Sequence, residues 1–215
     1  LSNLIEGQNR IETKIDEIHY ATVPKKSENI IIDKIDKDKL YSLGVLKNEH
    51  YELRYIRTSI NDFKSLFLEE KGETLLDIVS KESKVVLLGN AGIGKTTELK
   101  QLFEQLWENR CKSKNIPMYI NLKNFRSTST FEDLIPFVEW EKLPIVTFIL
   151  DGLDEIANIQ DFISALELFL NKNKGKKINT VISCRTNIYE KYLVKITDFK
   201  YFFLDNLRDY QINSI

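Results

Sequence analysis

Residues 85–97 read VVLLGNAGIGKTT, and the part from Gly89 to Thr96 matches the full pattern Gly-x-x-x-x-Gly-Lys-Thr. A short β-rich run, VVLL, comes directly before the pattern, and a helix-forming segment, TELKQLF, begins at Thr97. This strand–loop–helix context is the one in which such a glycine-rich loop binds phosphate. The alternative is an ordinary glycine-rich turn with a solvated lysine, which the flanking strand and helix disfavour.

The loop carries the donors that a polyphosphate needs. Its successive backbone N–H groups can form an anion-binding concavity, and the start of the following helix adds partial positive charge. Lys95 supplies a point charge near the β- and γ-phosphates, and the Thr96 hydroxyl can ligate Mg²⁺. The sequence therefore predicts that ATP binds here with Mg²⁺. The predicted phosphate-binding residues are Gly89, Asn90, Ala91, Gly92, Ile93, Gly94, Lys95 and Thr96.

More apolar, β-rich runs follow the first one along the chain. They lie at residues 118–122, 145–150, 180–183 and 201–204, and helical stretches at 95–110, 131–140 and 160–173 alternate with them. Runs of this type are typical of strands that are buried on both faces of a parallel sheet. Strands that alternate with helices form right-handed βαβ units, so the predicted fold class is α/β with a mostly parallel sheet.

The N-terminal segment has a different pattern. Its apolar residues recur at the spacing of one helix stripe, at Leu1, Leu4, Ile11, Ile15 and Ile18, before VPKKSEN ends the pattern. We therefore predict a helical linker region over residues 1–47 and a nucleotide-binding core over residues 48–215. The sequence does not begin with Met, and we expect it to be a fragment of a longer chain.

Residues 148–155, FILDGLDE, put acidic side chains directly after a buried strand. In α/β sheets ligands lie beyond the carboxyl ends of the strands, so Asp151 is expected to face Thr96 and to hold Mg²⁺ with it, directly or through water. Asp154 and Glu155 follow within one turn, where a carboxylate can polarise a water that attacks the γ-phosphate. For Asp154 the alternative is a helix N-cap, since Asp is a preferred capping residue.

Arg185 follows another strand of the same type, TVIS at residues 180–183. It is expected to emerge at the same sheet edge as Asp151, where a guanidinium can contact the γ-phosphate or the phosphate released from it. A lone arginine after a strand is otherwise a surface residue. The predicted catalytic set is therefore Glu155, Asp154, Lys95 and Arg185.

The composition argues against several classes of protein. The chain has 215 residues, 42% of them hydrophobic and 29% charged, and a formal net charge of −1, so no overall basic field favours DNA, RNA or anionic lipid. Its two cysteines, Cys111 and Cys184, make no disulfide framework. No apolar run approaches the roughly 20 residues that span a bilayer. We therefore expect a cytoplasmic protein with no nucleic-acid or membrane partner.

Together these motifs resemble those of the NACHT class of STAND NTPases. GNAGIGKTT at residues 89–97 is similar to the phosphate loop of that family, and the resemblance adds Thr97 to the nucleotide contacts. LDGLDE at residues 150–155 is more specific, because a small residue after the magnesium aspartate and then an acidic pair distinguish NACHT domains from other P-loop ATPases. SCRT at residues 183–186 resembles the sensor segment of the family.

The resemblance covers about residues 50–207 and has wider implications. Tyr55, Ile56 and Arg57 resemble a segment that contacts adenine. The family implies a P-loop NTPase three-layer sandwich with five core strands in the order 5-1-4-3-2. It also implies a switch that is closed with ADP and oligomeric with ATP, and a role in antiviral or innate immune defence. The helical and winged-helix domains that follow the core in full members are missing from this sequence.

Two other functions remain open at this point. One is a scaffold that holds nucleotide and promotes oligomerisation with little hydrolysis, since no arginine finger from a second molecule can be assigned. The other is another P-loop phosphotransferase. A GTPase is disfavoured because the Asn-Lys-x-Asp guanine motif is missing, and an ABC ATPase is disfavoured because no Leu-Ser-Gly-Gly-Gln signature follows the loop.

Overall fold

The computed structural model describes Ile32, residues 34–40, 56–57 and 73–192, Ile196 and residues 198–204. The chain forms two compact units, Leu1–Ile35 and Asp36–Ile215. The predicted N-terminal helical region lies almost wholly outside the described residues, and so does Tyr55. Both stay predictions, and the architecture below is that of the second unit.

Strands and helices alternate through the described part of this unit. The strands are β1 (Ile56–Arg57), β2 (Lys84–Leu88), β3 (Asn115–Asn121), β4 (Ile145–Asp151), β5 (Lys177–Cys184) and β6 (Lys200–Leu204). The α-helices are α1 (Leu75–Lys81), α2 (Lys95–Glu108), α3 (Arg110–Ser113), α4 (Ile159–Lys172) and α5 (Thr186–Tyr192). Short 3₁₀ turns occupy Lys37–Leu40, Leu122–Asn124, Glu132–Leu134, Trp140–Lys142 and Leu153–Glu155.

The strands form one sheet in the order β1-β6-β2-β5-β4-β3. The pairs from β6 to β3 are all parallel, and their order is the expected 5-1-4-3-2 when these five strands are numbered along the chain. The prediction of an α/β, P-loop NTPase sheet is therefore confirmed. The short β1 adds an antiparallel edge beside β6, which the sequence patterns did not indicate. Pro117 fits β3 because that strand lies at the other edge.

The predicted helix over residues 131–140 is wrong. The segment forms two separate 3₁₀ turns instead, with Ile135 extended at φ −73° and ψ 118° between them. Pro136 explains this difference, because a proline disfavours the α conformation of the residue before it. The segment is nonetheless anchored, since Phe131 and Trp140 are buried at its two ends.

An aromatic cluster forms the core on one face of the sheet. The ring of Phe148 on β4 lies 5.5 to 5.8 Å from the rings of Phe131, Trp140 and Phe169, measured between centroids. Phe169 in turn lies 5.3 Å from Trp140 and 4.5 Å from Phe131. Side chains alternate between the faces of a strand, so Phe148 and Asp151 of β4 point to opposite faces. The aromatic core therefore supports β4 from behind the face that carries Asp151.

The parallel pairing brings several strand ends to one sheet edge. Leu88 pairs with Cys184 at the ends of β2 and β5, and Leu150 pairs with Ile182 on β4 and β5. The segments that follow β2, β4 and β5 therefore start side by side, at the edge where ligands bind in α/β sheets.

In the described part of the chain, none of the helices is long and apolar enough to cross a membrane.

Candidate functional site

The glycine-rich loop takes a backbone shape that requires glycine at several positions. Gly92 and Gly94 have φ values of +75° and +95°, which side chains other than glycine rarely adopt. A Cβ on Gly89 would lie 2.8 Å from Ile93 Cγ2, so the loop also closes tightly on itself. Gly94 caps α2 without any side-chain hydrogen bond, and so no cap side chain covers the N–H groups of the first turn. This is the arrangement by which helix starts bind anions.

The ammonium group of Lys95 lies across this loop. Its Nζ donates hydrogen bonds to the carbonyl oxygens of Gly89 at 2.9 Å and Asn90 at 3.0 Å. Burial lowers the pKa of Lys95, while the nearby Asp154 carboxylate raises it and the Arg185 guanidinium lowers it again. The loop carbonyl groups thus hold the ammonium group, and charged groups at the ends of β4 and β5 influence its pKa.

Residues from the predicted motifs line one cavity of about 340 Å³. From the loop and α2 it is lined by Ala91, Gly92, Gly94, Lys95, Thr96 and Thr97. From the ends of β4 and β5 it is lined by Asp151, Gly152, Asp154, Glu155, Ser183 and Arg185. Gly89, Asn90 and Ile93 belong to the same loop but are not among the residues that line the cavity. Ile56 does not line the cavity, and the side chain of Arg57 lies outside what the structure describes.

Asp151 is held by two hydroxyl groups, one from Tyr119, which no sequence motif indicated, and one from Ser183, which begins the SCRT segment. Tyr119 donates a hydrogen bond to its Oδ2 and Ser183 donates one to its Oδ1, each at 2.6 Å, and Asp151 is only 6% exposed. The backbone N–H of Gly152 donates in turn to Ser183 Oγ at 2.8 Å. A partial signal was present, since Tyr119 carries a hydroxyl group within a mostly apolar run, but only the pairing of Tyr119 with Ile149 puts it on the face of Asp151.

Asp154 and Glu155 lie in different surroundings although they are neighbours. The Asp154 side chain is 6% exposed; it forms an ion pair with Arg185 Nε at 2.7 Å and accepts a hydrogen bond from the Arg185 backbone N–H at 3.1 Å. Glu155 is exposed beside the cavity. The helix-cap alternative for Asp154 is wrong, because Asn158 precedes α4 and Asp154 lies in the 3₁₀ turn Leu153–Glu155.

The donor set fits magnesium in combination with phosphate. The Thr96 hydroxyl and the Asp151 carboxylate line the same cavity. Among the described residues, no three His, Cys, Asp or Glu side chains gather into a metal-binding group. Mg²⁺ commonly uses one or two protein carboxylates and completes its shell with phosphate oxygens and water, so this sparse set is adequate.

Comparison with solved structures gives distant likenesses. The chain is 18% identical to C. elegans PCH-2, with a TM-score of 0.43, and the match covers 64% of this chain and 39% of that one. It is also 18% identical to the Aeropyrum pernix ORC1 protein, solved in complex with DNA, with a TM-score of 0.43 and coverage of 67% and 43%. The chain thus spans less than half the length of either protein.

Comparison with protein families gives a direct assignment. No curated protein matches the sequence significantly. The family model described as the NACHT domain matches residues 83–215, which include the phosphate loop, Asp151, the following acids and Arg185. Since the matched residues make up more than half of the chain, this protein belongs to the NACHT domain family of P-loop NTPases.

Proposed function

We propose that the chain binds ATP with Mg²⁺ and hydrolyses it slowly, as the switch module of a larger signalling protein. The observation that carries this proposal is the convergence of Lys95, Asp151 and Arg185 on one cavity at the carboxyl edge of the sheet. A cation, a metal-binding carboxylate and a guanidinium around an anion-binding loop are the groups that phosphoryl transfer requires. Adenine contact by Tyr55, Ile56 and Arg57 stays a prediction.

The residues take separate roles in this proposal. The N–H groups of the loop and the Lys95 ammonium bind the phosphates, and Thr97 extends the phosphate contacts along α2. Thr96 and Asp151 hold Mg²⁺, which neutralises charge on the phosphates when it is bound. Arg185 contacts the terminal phosphate, and Asp154 takes part through its ion pair with Arg185. Glu155 is the acid that orients the attacking water, since it is the more exposed of the pair.

The wider role rests on family membership. We propose that ATP favours an oligomeric state of the whole protein and ADP a closed one, and that the protein acts in antiviral or innate immune defence in the cytoplasm. A nucleotide in the cavity would contact residues that follow β2, β4 and β5, so loss of the γ-phosphate would remove the proposed contact to Arg185. That difference in contact is what a switch between two states needs.

The test measures nucleotide affinity and phosphate release for matched variants. Lys95→Ala is expected to weaken ATP binding at least about tenfold, because it removes a charge-assisted contact to phosphate. Glu155→Gln is expected to retain ATP binding and to lose roughly 10²–10⁴ in turnover, as expected for removal of a general base. Lys174→Ala and Glu108→Gln are the controls, since both residues are exposed and neither lines the cavity.

The outcomes separate the three functions. Tight ATP binding by Lys95→Ala would contradict the whole proposal. Bound nucleotide without phosphate release above background in the unchanged chain would favour the oligomerisation scaffold. Transfer of phosphate to an added acceptor, in place of water, would favour another phosphotransferase.

A further inference from the structure

We infer that Tyr119 is a positioning residue for magnesium, whose hydroxyl, together with that of Ser183, holds the Asp151 carboxylate in one fixed orientation at the cavity. The inference deepens the proposed function and rests on it. Tyr119 does not line the cavity itself, so it acts only through Asp151.

The sheet register explains how the three side chains meet. Asp151 ends the strand β4, which lies between β3 and β5 in the sheet. Ile149 of β4 pairs with Tyr119 of β3 and with Val181 of β5, and Ser183 lies two residues beyond Val181. Residues two apart share a face, and adjacent strands are about 4.8 Å apart. A carboxylate on the middle strand is therefore flanked by one hydroxyl from each neighbouring strand.

The hydrogen bonds also have a defined direction. The Gly152 N–H donates to Ser183 Oγ, so this hydroxyl uses its single hydrogen for Asp151. The two O–H···O bonds to Asp151 are as short as charge-assisted bonds to a carboxylate usually are. Each bond engages a different carboxylate oxygen, so rotation of the carboxylate would break both of them.

Burial makes this arrangement rigid. Tyr119 is 4% exposed and Ser183 1%, so water cannot readily replace either donor. A carboxylate offers about four lone-pair sites, and two donors leave the others for Mg²⁺ or for water bound to it. Because the carboxylate is already oriented, magnesium binding does not have to restrict it further, which favours affinity. The phosphate contacts of the loop and Lys95 do not depend on Tyr119.

The test separates metal binding from phosphate binding in the full chain. ATP affinity is measured by calorimetry in EDTA and over a series of free Mg²⁺ concentrations. In Tyr119→Phe, the Mg²⁺ concentration that gives half of the increase in affinity is expected to rise about tenfold, since one hydrogen bond to a charged group is lost. ATP affinity in EDTA is expected to stay within about twofold of the unchanged chain. Ser183→Ala should shift the Mg²⁺ dependence in the same direction.

The control is Tyr201→Phe, which removes the same atom from a tyrosine on β6 that is 48% exposed. Equal Mg²⁺ dependence in Tyr119→Phe, Ser183→Ala and the unchanged chain would overturn this inference but not the proposed function. An equal loss of affinity with and without Mg²⁺ would also overturn it, because that result describes a general structural role. If the unchanged chain binds no ATP, or binds it without regard to Mg²⁺, the proposed function itself fails.

Discussion

Gly152 connects Asp151, at the end of β4, to the acidic turn, and its backbone is in the left-handed region with φ +84°. A Cβ at this position would also lie 3.3 Å from Glu155 Cδ. There are thus two physical reasons for a glycine between Asp151 and the acidic pair. It allows the chain to turn sharply after β4, and it leaves room for the Glu155 side chain beside the cavity.

Gly152→Ala is expected to lower the free energy of unfolding by about 1–2 kcal/mol, because an L side chain is strained in the left-handed region. Chemical denaturation measures this change. Gly175→Ala is the matched control, since Gly175 has no positive φ in the disfavoured range and its added Cβ would meet nothing within 4 Å. Equal effects of the two substitutions would contradict a conformational requirement at Gly152.

Asp154 shows how one carboxylate can join two turns. It accepts a hydrogen bond from the backbone N–H of Arg185 and forms an ion pair with the guanidinium of the same residue, and so it joins the turn after β4 to the start of α5. A nearly buried carboxylate needs such partners, because an unpaired buried charge is costly. Arg185 itself stays about half exposed, with a side chain that is 49% accessible, and can still reach a ligand in the cavity.

At the scale of elements, α4 shows the clearest division between a buried and an exposed face. Phe162, Leu166 and Phe169 are at most 1% exposed, and they recur at helical spacing. Leu168, one position before Phe169, is 72% exposed. The helix therefore holds β4 through its aromatic side chains and turns an apolar leucine outward.

Phe169→Ala is expected to destabilise the fold by about 3–5 kcal/mol, because it removes a ring from the cluster with Phe131, Trp140 and Phe148 and leaves a cavity. Leu168→Ala, the neighbouring control, should change stability by less than about 0.5 kcal/mol. Denaturant titration of both variants tests the expectation. A large loss for Leu168→Ala would mean that this side chain is covered in solution.

For the molecule as a whole, nucleotide should stabilise the second unit because it joins the ends of three strands at one cavity. Mg²⁺–ATP at about 100 times its Kd adds about 2.7 kcal/mol to the free energy of unfolding. For a chain of this length we expect Tm to rise by about 5–10 °C. Scanning calorimetry with and without nucleotide measures the shift. At the same ATP concentration, Lys95→Ala should lower the shift to about half or less, because an affinity at least about tenfold weaker leaves at most about 1.4 kcal/mol of stabilisation; a full shift in that variant would contradict binding at the loop.

The sequence alone determined the phosphate loop, the acidic end of β4 and the parallel sheet. These features are local, because each depends on a few consecutive residues such as Gly89 to Thr96, or on the alternation of apolar runs with helices. Local patterns failed where a single residue overrode them, as Pro136 did in the segment that was predicted to be a helix.

Only the tertiary structure decided which polar side chains meet. Tyr119, Asp151 and Ser183 are separated by 32 residues in each step, and Asp154 and Arg185 by 31. Such pairs come together because neighbouring parallel strands stand in one particular register, and a slip of one residue would turn every side chain to the other face. The residue types determined which chemical groups are present, and the strand register determined which of them lie together.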